Sequence, residues 1–210
     1  MSIPKFTLFE HRLEEKYNKI IVELPEMIKA LKLSNSLEDG KLNKIKKDIY
    51  DDLDKGFDLG DFEIKTSDIS VQNQEFNFDK TVAGEVLNRD LHSTHGSDYI
   101  TLYYAIYTVP YAGKIDALKY TTIYPQEEIY LTDHSGYFSL TIYSITPVDQ
   151  SADVIKAEKN RILDMIEKNQ EANEKFIESK EDALKDAIDK EIDFHFKSGR
   201  GEISDNSLLL

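Results

Sequence analysis

The stretch from Ser151 to Lys197 contains neither proline nor glycine and is dominated by Glu, Lys, Asp, Ala and Ile. This composition predicts one helix of up to about 45 residues, on the order of 70 Å long if unbroken. Its apolar positions recur at three- and four-residue steps, but the middle is polar and the stripe then shifts sideways. We therefore expect the helix, residues 151–198, to kink near residues 167–173 or to pack partly on another chain or domain. The tail, residues 199–210, is expected to be mobile.

Helical periodicity also marks the N-terminal part of the chain. One amphipathic helix is predicted at about residues 7–33, where Pro25 either kinks it or starts a new helix. A second is predicted at about residues 41–55, with glycines after its end. The apolar face of this second helix is formed by Leu42, Ile45, Ile49 and Leu53.

Residues 62–145 show the two-residue alternation of strands. Half-buried strands are predicted at the apolar pairs Phe62 and Ile64, Ile69 and Val71, and Phe76 and Phe78. The clearest strand runs from Tyr99 to Val109, and Pro110 is predicted to end its hydrogen-bond ladder. Residues 81–98 are predicted to form a loop with about one helical turn.

The residues from Asp133 to Gly136 predict an antiparallel hairpin closed by a type I turn and a glycine in the left-handed conformation. In its second strand Phe138, Leu140 and Ile142 share one face, as in a sheet with one buried side. The whole pattern predicts an α+β fold. Residues 1–150 form a domain of N-terminal helices and an antiparallel sheet of about five or six strands, and the long C-terminal helix follows.

The charge of the chain limits its partners. The formal net charge is −14, and no third of the sequence is basic. A protein that binds nucleic acid through phosphates needs a local excess of Lys and Arg, so direct nucleic-acid binding is disfavoured. The acidic surface either increases solubility or binds a basic partner.

Other classes are excluded by composition. Because the chain has no cysteine, it has no disulfide framework, thiolate zinc site or cysteine nucleophile. The N-terminus lacks an apolar signal core, and no run of about 18 apolar residues occurs. The sequence therefore predicts a soluble cytoplasmic protein that does not enter a membrane.

Two groups of residues have the spacing of sites in metal-dependent enzymes. Glu63 and Lys65, preceded by Asp58 and Asp61, resemble the strand-borne Glu-x-Lys of metal-dependent nucleases. Three such triplets occur in a chain rich in both residues, at Glu14, Glu63 and Glu178, so an ordinary wet strand face is favoured.

The second group is His92 and His95, followed by Asp98 after another three residues, which would converge on a metal if the loop made one helical turn. A fourth ligand is not evident, and a loop with solvated histidines is favoured. The sequence contains no Gly-x-Ser-x-Gly elbow, Walker-type loop or GxGxxG. We therefore assign no catalytic, metal-binding or cofactor-binding residue and predict no cofactor. An enzyme that uses Glu63 or His92 and His95 stays an alternative.

Seven of the twelve tyrosines lie between Tyr99 and Gln126. Tyrosine favours half-wet strands, and rigid aromatic surface also serves interfaces. On the strand that begins at Tyr99, Tyr104 is predicted to be in the core, while Tyr99, Tyr103 and Tyr107 form the candidate contact surface.

The order of features from residue 99 to 197 resembles a known family. A strand ends in Val109-Pro110-Tyr111-Ala112-Gly113, a short stretch leads to Pro125, and the hairpin and the long charged helix follow. This is similar to the N-terminal module of a family of bacterial proteins that carry a C-terminal restriction-endonuclease-like domain, some of them associated with defence against phage. The nuclease part is expected to lie beyond Leu210, so the resemblance assigns no catalytic residue.

The resemblance implies a non-catalytic sensing, regulatory or oligomerisation module of a bacterial defence-type nuclease protein. A second hypothesis is a stand-alone acidic interaction protein, such as an inhibitor or a DNA-mimic antitoxin. The overlong C-terminal helix also predicts self-association into a homodimer or binding of a protein partner.

Overall fold

The computed structural model describes residues 5–30, 39–57, 59, 62–91 and 96–206, and it confirms the α+β class. The helices are α1 (Leu13–Ala30), α2 (Asp39–Phe57), α3 (Lys80–Leu87) and α4 (Val148–Asn206). The strands are β1 (Phe6–Leu8), β2 (His11–Arg12), β3 (Glu63–Ile64), β4 (Ser70–Asp79), β5 (Tyr99–Ala112), β6 (Tyr120–Thr121), β7 (Glu127–Ile129), β8 (Leu131–Asp133) and β9 (Tyr137–Ser144).

The chain divides into two compact units. The first comprises Met1–Glu10, Gly60–Lys119 and Tyr124–Gln170, and the second comprises His11–Leu59, Tyr120–Ile123 and Glu171–Leu210. Helix α4 contributes residues to both. It is helical through residues 167–173, where a kink was one of the two predicted alternatives, and it extends past residue 198 to Asn206.

Strand β5 is the centre of the sheet in the first unit. Along one side it pairs antiparallel with β4 and β3, along the other it pairs with β9, and β8 pairs with β9. Strand β1 pairs with β7 in a separate two-stranded sheet. Tyrosine and β-branched residues, which favour strands, fill much of β5 and β9.

The prediction that Pro110 ends the ladder is wrong, because β5 continues to Ala112. Proline has no N–H to donate. At this point the 3-10 turn Thr66–Asp68 separates β3 from β4, so the neighbouring strand is interrupted where the donor is missing. The Pro110 carbonyl still accepts a hydrogen bond from the Lys65 N–H at 2.9 Å. The ladder therefore changes partner at the proline.

One face of the sheet forms the main core of the first unit. Phe138, Leu140 and Ile142 of β9 are buried on this face, which confirms their predicted arrangement. The first half of α4 lies here too, with Lys159 Nζ 5.8 Å from the centre of the Tyr107 ring. Buried apolar residues that α4 contributes to the first unit are Ile155, Ile162, Leu163 and Ile166.

The opposite face is covered near the start of β5 by α3, in the region predicted to be mostly loop. The Asp79 carboxylate caps this helix by accepting a hydrogen bond from the Thr81 N–H at 2.8 Å. Asn88 ends it in the left-handed conformation. A small buried cluster forms from Ala83, Leu91 and Leu102. At eight residues the helix is too short to give a clear periodic pattern.

The turn between β8 and β9 differs from the predicted type. Ser135 has φ of 58° and Gly136 has φ of 113°, and the His134 N–H donates to the Tyr137 carbonyl at 2.9 Å. A type I turn has negative φ at both central residues, whereas type I′ has positive φ at both. The two-residue I′ geometry matches the twist of the flanking strands, which explains why it is preferred here.

Helices α1 and α2 and the C-terminal half of α4 form the core of the second unit. The buried residues of this cluster are Leu24, Ile28, Leu53, Leu184, Ile188 and Ile192. Lys46 on α2 pairs with Asp189 and Asp193 on α4, at 2.9 and 3.5 Å. The late apolar residues of α4 are thus covered by α1 and α2 of the same chain.

The N-terminal segment begins differently from the predicted helix. Residues 6–12 form β1 and β2, and α1 begins at Leu13 and continues as one helix through Pro25. Phe9, which has φ of 59°, is buried and stacks on Tyr124, so packing offsets the cost of this backbone conformation. In the described part of the chain no helix is long and apolar enough to cross a membrane.

Candidate interaction surface

Strand β4 is the most exposed regular element of the sheet. Nine of its ten residues are exposed, with the side chains of Val71 and Phe76 exposed by 51% and 60%. Both of its faces therefore meet solvent, and the prediction of half-buried strands is wrong for this segment. Its pairing with β5 has no bulge over the whole length. Its sequence contains no lysine or proline, the residues that commonly protect an edge.

The backbone of β4 has a free side, and the ladder shows which residues face it. The Lys80 N–H donates to the Asp98 carbonyl, and these two residues continue the pairing of β4 with β5. The Tyr111 N–H donates to the Gly136 carbonyl, and these two residues continue the pairing of β5 with β9. Because antiparallel peptide groups alternate in direction, even-numbered residues of β4 bond to β5 and odd-numbered ones point outward. The outward peptide groups belong to Val71, Asn73, Glu75 and Asn77, and among the described residues they have no backbone partner.

An aromatic cluster lies on the face of the sheet that α3 partly covers. Phe76 contacts Phe78 with ring centres 5.2 Å apart, and Phe78 contacts Tyr143 at 6.1 Å. Tyr143 also contacts Tyr104 and Tyr130, each at 5.2 Å. Phe76 at the exposed end of this cluster is thus held by its neighbours, as rigid contact residues are.

Burial raises the pKa of the Tyr143 hydroxyl to about 12, and the nearby Tyr104 and Tyr130 add to the effect. An unperturbed tyrosine releases its proton near pH 10.0. Between these values the unfolded state binds fewer protons than the folded state, so the free energy of unfolding falls as pH rises through this window.

We therefore expect the Tyr143→Phe variant to lose less of its free energy of unfolding between pH 10 and pH 12 than the unsubstituted chain loses. Urea denaturation at several pH values measures this difference. Tyr99→Phe, at a ring that is 62% exposed, controls for the loss of a hydroxyl. Equal losses in the Tyr143→Phe variant and the unsubstituted chain would contradict the expectation.

A cavity of about 270 Å³ lies near the aromatic cluster and is lined in part by Glu127, Glu128 and Glu158. Each of the three carboxylates is paired with a cationic side chain of the same chain. Arg161 pairs with Glu127 and Glu158, and Lys5 pairs with Glu128 at 3.1 Å. The cavity therefore offers no unpaired charge with which to select a ligand.

The three predicted contact tyrosines do not form one surface. Tyr99 is 62% exposed and Tyr103 is half-buried, but Tyr107 is only 7% exposed. Tyr104, predicted to be in the core, is half-buried, and its hydroxyl donates to the Gln74 side chain at 3.0 Å. The reason is that α3 covers one face of β5 early and α4 covers the other face late, so no single face is buried along the whole strand.

The candidate metal ligands lie as follows. Glu63 and Lys65 are exposed, and Glu63 is paired with Ala112 in the sheet. Asp58, Asp61, His92 and His95 lie outside the described residues, while Asp98 is exposed. Within the described ranges, no group of three or more His, Cys, Asp or Glu residues is placed to hold a metal ion.

Sequence reasoning missed β4 as the exposed edge, although a signal is present. Gln72, Asn73 and Gln74 are consecutive amides, so both faces of the strand carry polar side chains. A strand that buries one face against a core alternates apolar and polar residues. The consecutive amides thus indicate a strand with two wet faces.

Comparison of the chain with protein-family models, curated proteins and solved structures finds no match.

Proposed function

We propose that this chain is a non-catalytic protein-interaction module that receives an extended strand of a partner along β4. The observation that supports the proposal is the unprotected outer edge of β4, with four outward peptide groups between Val71 and Asn77. Strand addition satisfies such groups, and exposed side chains on both faces then select the partner. Phe76 supplies the aromatic contact.

The resemblance to modules that precede restriction-endonuclease-like domains agrees with this class of function. In such a protein the module would bring chains together or connect the nuclease to its regulator. Strand addition at a sheet edge suits this role because it needs no chemistry beyond the backbone and a few side chains.

The inhibitor or DNA-mimic hypothesis is less well supported. A mimic of the DNA backbone needs carboxylates in a row without cations between them. On α4 the acidic residues are interleaved with lysines that pair with them, as in Glu171 with Lys175 and Glu181 with Lys185. This mixed pattern is that of an ordinary solvated helix.

Photo-crosslinking in the producing cell tests the proposed function. With p-benzoylphenylalanine in place of Phe76, we expect one discrete covalent adduct, and we expect Asn73→Pro to abolish it because the proline removes an outward N–H. The same crosslinker in place of Val154, which is 72% exposed on α4, is the control. An absent adduct, or one that persists with Asn73→Pro, would overturn the proposal.

A further inference from the structure

We infer that the strand received by β4 is β4 of a second copy of this chain, antiparallel, with a two-fold axis at Gln74. This inference rests on the interaction function proposed above and names its partner. It follows from three properties of the strand: which peptide groups are free, where its charges lie, and how far two copies overlap.

The free peptide groups restrict the register. Since odd-numbered residues of β4 point outward, hydrogen-bonded pairs across a new interface join odd residues to odd residues. A two-fold axis through Asn73, Gln74 or Glu75 meets this condition. An axis between two residues would place outward groups opposite inward ones, and it would leave them without partners.

The position of Glu75 and the length over which the two β4 strands pair favour one of these axes. An axis at Glu75 places two carboxylates directly opposite each other, which is destabilising. An axis at Asn73 leaves Asn77 and Phe78 beyond the end of the partner strand. An axis at Gln74 pairs the whole segment Ser70–Phe78 and places the two Glu75 carboxylates diagonally, and not directly opposite each other.

The Gln74 axis also gives complementary side-chain pairs. Glu75 lies opposite Asn73 of the second copy, whose amide can donate to the carboxylate. On the other face Phe76 lies opposite Gln72 of the second copy, and the two Gln74 side chains meet at the axis. The outward groups from Val71 to Asn77 then form about eight hydrogen bonds between the chains, two for each pair.

The net charge of the chain determines how its self-association depends on salt concentration. Each copy carries −14, so two copies repel each other at low ionic strength, and screening reduces this repulsion. Self-association should therefore strengthen as salt increases. A basic partner would show the opposite trend, because screening weakens attraction between unlike charges.

Cysteine cross-linking tests the register directly, because the natural chain has no cysteine. At the axis, the Gln74 pair is a non-hydrogen-bonded one with Cα atoms about 4.5 Å apart, within the range of a disulfide. We expect Gln74→Cys to form a disulfide-linked dimer under mild oxidation. The control Gln72→Cys should form no disulfide-linked dimer, because the two copies of residue 72 lie four residues apart along the paired strands.

Sedimentation of the full chain measures the association itself. We expect a monomer–dimer equilibrium that tightens with salt and is weakened at least about tenfold by Asn73→Pro. Circular dichroism of that variant should be unchanged, because the Asn73 N–H points away from β5.

Three results would overturn the inference: no Gln74→Cys dimer, equal cross-linking of Gln72→Cys, or an association that Asn73→Pro does not weaken. If the purified chain stays monomeric while the Phe76 crosslinker still captures a different protein in an Asn73-dependent way, the second copy is wrong and the proposed function stands. If that adduct also fails, both are wrong.

Discussion

The Ile188→Asp variant is expected to lose the helical core of the second unit. Ile188 is 1% exposed and packs within the cluster formed by α1, α2 and α4. Aspartate there removes a buried aliphatic side chain and places an unpaired carboxylate among apolar neighbours. Changes of this kind cost more than about 4 kcal/mol, which is comparable to the stability of a whole domain.

The measurement is amide hydrogen exchange followed by mass spectrometry on peptides from α1, α2 and the end of α4. Protection should be lost throughout these helices. Ala183→Asp adds the same charge to an exposed position of the same helix and should cost about 1 kcal/mol or less. Retained protection in the Ile188→Asp variant would show that this cluster is not the core of the unit.

The second large effect is expected from Phe138→Ala in the sheet of the first unit. Phe138 is fully buried beside Val109 on the face that α4 covers. Removing its ring leaves a cavity and should lower the free energy of unfolding by about 3–5 kcal/mol. Urea denaturation followed by circular dichroism measures the loss.

Tyr137→Ala provides the matched comparison, because Tyr137 precedes Phe138 on the same strand and its side chain lies on the opposite face. It is 40% exposed, and its ring stacks on His134 at 4.7 Å. We expect this substitution to cost about 1 kcal/mol. Equal costs at the two positions would mean that the two faces of β9 do not differ in burial as described.

The α+β class and the strand β9 could be predicted from repeating apolar patterns, and the long helix from its composition and its lack of proline and glycine. The alternation at Phe138, Leu140 and Ile142 fixes one buried face. Two asparagines in the polar middle of the helix are buried, so its inward-facing side continues through this stretch. Asn169 and Asn173 are 1% and 4% exposed, and Asn173 Nδ2 donates to the Tyr120 carbonyl at 3.0 Å. The sequence does not indicate that Asn173 bonds to the Tyr120 carbonyl, because the two residues lie 53 positions apart.

The candidate surface could be predicted only in part, because burial depends on neighbours distant in sequence. Tyr99, Tyr103 and Tyr107 share one face of β5, but α4 covers Tyr107 and leaves Tyr99 exposed. Likewise, Phe76 and Phe78 have the spacing of a buried face, although Phe76 is 60% exposed. Periodicity indicates which side chains share a face of a strand, but it does not indicate whether another element packs against that face.

On one side of the sheet the outer strands are β4, with ten residues, and β3, with two, while on the other side the outer strand is β8, with three. Pairing of β4 with β4 is isologous, so it uses the same edge of both copies and leaves neither available for another. In the proposed dimer, the described strands of this sheet that keep an outer edge are the short strands β3 and β8. Strand β8 ends at Asp133, whose carboxylate accepts hydrogen bonds from the Tyr111 hydroxyl and the Ser135 N–H. In the proposed dimer, a strand rich in glutamine and asparagine thus pairs once, and the outer edges left in this described sheet are only two and three residues long.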